Sequence, residues 1–161
     1  MREENKVIQP EEVESRLLPL LDAGALVPLR VTGHSMSPFL RNGRDTVYLR
    51  SPALRPPKAG DILFFRRTDG RWILHRFCRL DESGGLVMNG DAQTWFETIA
   101  PEQVFGVVEQ VGREGRQPVS ARRWDRELAR IAWEGLRPVR PWLLRQLGRA
   151  AGLLRGERGG S

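Results

Sequence analysis

The chain has 161 residues, 40% hydrophobic and 29% charged, which excludes a disordered chain and fits one ordinary domain with its own core. A single cysteine, Cys78, excludes an internal disulfide, and no apolar run approaches the ~18 residues of a spanning helix. The net charge of +6 is uneven: residues 1–112 hold 14 Lys and Arg against 15 Asp and Glu, whereas residues 113–161 hold 12 Arg against five acids, so any nucleic-acid or membrane attraction rests on the C-terminal part.

Residues 1–24 read as an N-terminal helical segment. Pro10 suits a first helical turn, Glu11, Glu12 and Glu14 favour its dipole, and Val13, Leu17, Leu20 and Leu21 form one apolar stripe. Pro19 is expected to kink or shorten the helix, and Gly24 to end it. The charged start, "MREENKVIQPEEVESRL", has no hydrophobic core of a secretory signal, so a cytoplasmic location is expected.

From Ala25 the period changes to two. "LVPLRVTG", "DTVYLR" (45–50), "DILFFRR" (61–67), "RWILHRFCRL" (71–80), "LVMNGD" (86–91) and "QVFGVVEQVG" (103–112) read as strands. Asp69-Gly70 and "SGG" (83–85) mark tight turns, and Gly106 a bulge. Residues 25–112 therefore form a mainly β unit of coiled antiparallel sheets, partly barrel-like, rather than parallel βαβ units. Residues 113–120 read as a linker within a basic C-terminal segment, 113–161, whose remainder is an amphipathic helical tail interrupted at Pro138 and Pro141. Cys78, between Phe77 and Leu80, reads as a small buried hydrophobe.

The chemistry centres on "GHSMSPFL", residues 33–40. A serine hydroxyl is inert at neutral pH without a base in hydrogen-bond reach. The bases on offer are His34, His75, Lys6 and Lys58. His34 adjoins Ser35, and consecutive side chains of an extended segment point apart. Lys6 lies in a charged arm and Lys58 in a proline-rich loop. His75 sits inside an apolar strand, where it is either a core histidine or the base for Ser35. Asp91, in "MNGDA", could fix the imidazole tautomer if it reaches His75, and Glu97 could substitute. Cysteines and histidines are too few for a metal cage, and no cofactor or metal is expected.

The ordered set "GHSMSPFL", "GRDTVYL", "KAGDILFF", "WILHRF", "MNGDA" and "VFGVVEQV" resembles the signal peptidase I family, in the branch that uses histidine as base. The similarity covers roughly residues 26–112. It implies a serine endopeptidase with Ser35 as nucleophile, His75 as general base and Asp91 orienting it. It further implies Gly33, Met36 and Pro38 as oxyanion or substrate positions, a structural role for Gly60-Asp61, and a leader, signal or precursor peptide bound as an extended strand. The self-cleaving repressor peptidases share the fold but have lysine where this chain has His75. Typical signal peptidases carry a transmembrane anchor, which is not evident here, so action in the cytoplasm or at the inner membrane face is expected. The arginine-bordered apolar face of residues 121–155 fits either an anionic membrane surface or packing on the protein itself, and specific nucleic-acid binding is not expected. A catalytically inactive peptide-binding or regulatory module on the same fold is the alternative. "TWFE" (94–97) places two aromatics near the site, to line the groove, touch lipid or fill core.

Overall fold

The computed structural model describes residues 12–113, 116–125 and 129. The chain divides into two compact units, Met1–Asp125 and Arg126–Ser161, and the first holds the whole sheet. Apart from residues 121–125 and 129, the predicted helical tail lies outside the described residues.

The N-terminal helix opens as a π-helical stretch, Val13–Leu17, and continues as α1, Leu18–Asp22. The change of register comes at Pro19, which has no N–H to donate back along the helix. Val13, Leu17 and Leu21, spaced by four, are buried, but Leu20 is 50% exposed and does not belong to the stripe. Gly24 closes the helix in the left-handed region at φ 81°.

The strands are β1 (Val27–Arg30), β2 (Asp45–Arg50), β3 (Ile62–Arg66), β4 (Trp72–Leu80), β5 (Leu86–Asn89), β6 (Glu97–Ile99), β7 (Val104–Arg113) and β8 (Val119–Ser120). They form one antiparallel sheet in the order β1-β2-β7-β3-β4-β5-β6, with β8 on β7. β3 to β6 are a meander of successive neighbours, and β7 returns to separate β2 from β3. The sheet is open, ending at β1 and β6. The segment read as a linker contains β8, whose Ser120 and Val119 pair with Gln110 and Val111.

The pleat sorts side chains into two faces. On one, Leu63, Phe65, Phe77, Leu86, Met88, Ile99, Val104 and Val107 pack into a buried cluster, with Ile73 against it. On the other, Trp72 stacks on Phe64 and meets Phe105 edge-on, each at 5.1 Å between centroids. The bulge expected at Gly106 is present: Phe64 pairs with Gly106 but Phe65 with Val104, leaving Phe105 as the extra residue. Cys78 is the extra residue of a second bulge, between β4 and β5, and is half-buried rather than fully enclosed.

Candidate active site

The "GHSMSPFL" run forms a turn between β1 and β2. Gly33 takes φ 83°, where a side chain would be strained, and Ser37 N donates to the His34 carbonyl and Leu40 N to that of Met36. Met36 and Leu40 are buried and anchor the turn. His34 and Pro38 are exposed, Ser35 is half-buried, and the Ser37–Pro38 peptide is cis. Ser35 is fixed through its backbone: its carbonyl accepts the Ala92 N–H at 2.8 Å. Gly90 lies directly against it, since a Cβ there would sit 2.8 Å from the same carbonyl oxygen.

A groove of about 550 Å³ runs beside this turn. One wall is residues 29–36, including Gly33, Ser35 and Met36; the other includes Phe64, Trp72, Ile73 and Leu74. Pro38 is not part of it. On β4 the wall ends at Leu74, one residue before His75.

His75 is 1% exposed. Its ring meets Phe65 and Trp95 edge-on, each at 6.0 Å. Nδ1 lies 2.7 Å from Glu97 Oε1. A carboxylate can only accept, so Nδ1 carries the proton and Nε2 is left as an acceptor. Burial lowers the His75 pKa; Glu97 opposes this, and the Arg67 charge adds to the lowering, so the ring is neutral at pH 7. Arg67 grips Glu97 at both oxygens, Nε to Oε2 at 2.6 Å and Nη2 to Oε1 at 2.7 Å, and lies 5.5 Å from the Trp95 ring centre. Burial resists charge on Glu97, but the Arg67 hydrogen bonds prevail and hold it below the usual carboxylate range.

The carboxylate at the histidine is thus Glu97, not Asp91. Asp91 is taken by Arg76, with Nε to Oδ1 at 2.8 Å and Nη2 to Oδ2 at 2.7 Å. Arg76 also reaches Asp125 at 3.0 Å and the Gly60 carbonyl at 2.9 Å, and lies over the Phe39 ring at 5.3 Å. The sheet register explains the exchange. Phe77 pairs with Met88 and Met88 with Glu97, so Glu97 shares a face with Phe77 and hence with His75. Arg76 pairs with Asn89 on the opposite face, and Asp91 follows Asn89 by two. Asp91 acts on His75 only as a weaker, more distant charge.

Ser35 and His75 flank the same β5–β6 loop, Ser35 bonded to Ala92 and His75 covered by Trp95 and held by Glu97. Among the described residues no hydrogen bond joins the Ser35 hydroxyl to the imidazole. Of the "TWFE" aromatics, Trp95 covers the histidine at 46% exposure, and Phe96 projects outward at 63%. Gly60 and Asp61 brace the turn before β3. Gly60 takes φ 94°, and the buried Asp61 carboxylate accepts from Arg55 at 3.0 Å and from the Lys58 N–H at 2.9 Å.

Two contributors were missed by sequence reasoning. Arg67 had a signal: in "FFRR" the alternation that puts Phe65 beneath His75 puts Arg67 on the same face. Gly90 had none beyond its place in an Asn-Gly turn. Among the described residues no helix is long and apolar enough to cross a membrane. In comparisons with known proteins, no family model, no curated protein and no solved structure matches this chain.

Proposed function

We propose that this protein is a serine endopeptidase of the signal peptidase I kind, in the histidine-base branch, that cleaves a leader, signal or precursor peptide. Ser35 is the nucleophile, His75 the base, and Glu97 fills the orienting role expected of Asp91. The observation that carries the reading is a buried histidine held at Nδ1 by a carboxylate, next to the β5–β6 loop that also receives the Ser35 carbonyl.

In this reading a peptide lies extended in the groove between residues 29–36 and the first half of β4. The Ser35 hydroxyl oxygen adds to the scissile carbonyl while its proton passes to His75 Nε2. The tetrahedral intermediate then expels the amine, which takes that proton from His75, and leaves an acyl-serine. Water, deprotonated by His75, releases the acid and restores Ser35. Glu97 stabilises the imidazolium in both halves of the cycle. The oxyanion rests on the backbone N–H of Ser35, because Gly33 offers no hydroxyl. Bringing the Ser35 hydroxyl to within about 3 Å of Nε2 is left to the substrate complex, as is common when catalytic hydrogen bonds tighten on binding. The same reading makes the sheet coiled and partly barrel-like and places the protein in the cytoplasm or at the inner membrane face. Of residues 121–155, those beyond Asp125 are then the segment that meets anionic lipid, because Ala121 and Trp124 are buried.

One observation favours a second reading, a peptide-binding module without catalysis: the free chain has no Ser35–His75 hydrogen bond. An electrophilic serine-directed probe separates the two. The peptidase acquires one adduct, located on Ser35 by peptide mass spectrometry and absent from Ser35→Ala. A protein that retains peptides but takes no adduct is the binding module.

A further inference from the structure

His75 and Glu97 do not form an isolated pair. Glu97 Oε1 is shared: it accepts from His75 Nδ1 at 2.7 Å and from Arg67 Nη2 at 2.7 Å, while Oε2 accepts from Arg67 Nε at 2.6 Å. Glu97 stands on β6, a three-residue strand at the edge of the sheet, where a side chain has few neighbours to fix it. The Arg67 fork supplies that fixation from the turn after β3, and the Trp95 ring covers both Arg67 and His75.

We propose that Arg67 is a positioning residue of the site: its two-pronged grip on Glu97 aims Oε1 at His75 Nδ1, and its charge offsets part of the Glu97 charge beside the imidazole. The proposal rests on the peptidase reading for its purpose but not for its test. A carboxylate alone beside a histidine raises its basicity and favours the imidazolium. A guanidinium bound to that carboxylate offsets part of this pull, and Oε1, although shared with Arg67 Nη2, still accepts from Nδ1 and orients the ring. Glu97 thus aligns His75 without charging it.

The charged groups acting on His75 are Glu97 from β6, Arg67 from the turn after β3 and Asp91 from the β5–β6 loop; its other neighbours on β3 and in the loop, Phe65 and Trp95, are uncharged aromatics. Removing Arg67 takes away a repelling cation and unmasks Glu97, and both changes push the His75 titration upward. The chain has only two histidines, and the exposed His34 serves as an internal reference.

The experiment is an NMR titration of both imidazoles in the full-length chain and in Arg67→Met and Arg67→Lys, from about pH 4.5 to about pH 8.5. The His75 midpoint should rise in Arg67→Met and rise less in Arg67→Lys, which keeps the charge without the fork. In cleavage assays kcat/KM of Arg67→Met should fall about tenfold near pH 6 and recover near pH 8, with KM little changed. An unmoved His75 midpoint in Arg67→Met overturns the proposal, even if cleavage falls, because a purely structural residue would give that result. If Arg67→Met does not fold, Arg67→Lys decides in the same way. A raised midpoint in a chain that never cleaves peptide supports the role of Arg67 and removes the peptidase reading.

Discussion

Two neighbours on one strand, His75 and Arg76, each collect a carboxylate, and the two clusters behave in opposite ways. His75 faces the aromatic-lined core and meets Glu97, which Arg67 grips; burial above all keeps the imidazole pKa below its ordinary value. Arg76 faces the other side and meets Asp91 and Asp125; burial opposes its charge, but their hydrogen bonds outweigh that and raise its pKa further, so the cation is permanent. The first cluster holds a group whose charge depends on pH, and the second a fixed cation. The second instead ties together β4, the loop that receives the Ser35 carbonyl and the segment ending at Asp125. One strand thus carries a proposed proton carrier on one face and a fastening on the other, separated by a single step of the pleat.

Breaking the first cluster should cost activity far more than it costs stability. Ser35→Ala and His75→Ala should each lower peptide cleavage by about 10³-fold or more, with the circular dichroism spectrum preserved; unchanged turnover in either would dissolve the catalytic pair. Next in size is the contrast between the two acids. Glu97→Gln should lower kcat by roughly 10²–10⁴-fold through a wrong tautomer, whereas Asp91→Asn should leave kcat within about tenfold. The reverse ranking would return the orienting role to Asp91.

Breaking the second cluster should show the opposite pattern. Arg76→Met leaves two acids uncompensated and should cost about 3–5 kcal/mol in denaturant unfolding. Gly90→Ala would press a methyl into the Ser35 carbonyl and should cost about 1–3 kcal/mol, measurable as a lowered melting temperature. The smallest effect is that of pH. His75 is depressed from its ordinary value of 6.5, so the unfolded chain takes up a proton that the folded chain refuses. Its contribution to stability is full above that value and is lost as pH falls through the folded pKa. Glu97, depressed from 4.5, adds a second loss at lower pH. Unfolding followed at stepwise acidic pH should therefore weaken in two stages, and cleavage should rise with pH through a midpoint below 6.5. Stability that does not change from neutral to acid pH would contradict both depressions.

The long strands were legible because each carries its own alternating pattern, and "DTVYLR" is β2 to the residue. β6 and β8 were not. They have three and two residues, too short for a pattern, and exist because β5 and β7 offer them partners. Ser35 and His75 stood out in sequence by residue type and scarcity. The choice between Asp91 and Glu97 did not, because it depends on which face each acid occupies once β4, β5 and β6 are in register. That register passes through the bulge at Cys78, which nothing in "HRFCRL" announces. Leu20 was misplaced for a related reason: hydrophobicity marked it for the stripe, but a spacing of four from Val13 passes through Leu17 to Leu21.

The Trp124 indole donates to the Phe39 carbonyl at 2.9 Å, and Arg113 stacks on its ring at 4.5 Å. Together with the Asp125–Arg76 pair, this makes residues 121–125 a seal on the turn that bears Ser35. The smallest autonomous unit therefore does not stop with the last long strand. A truncation at residue 112 would strip a buried indole and one of the two acids from Arg76, and would loosen the serine turn along with the tail it removed. Deletions meant to probe membrane contact should begin after Asp125. Cut there, a loss of lipid binding reports on the tail; cut earlier, it reports on a damaged domain.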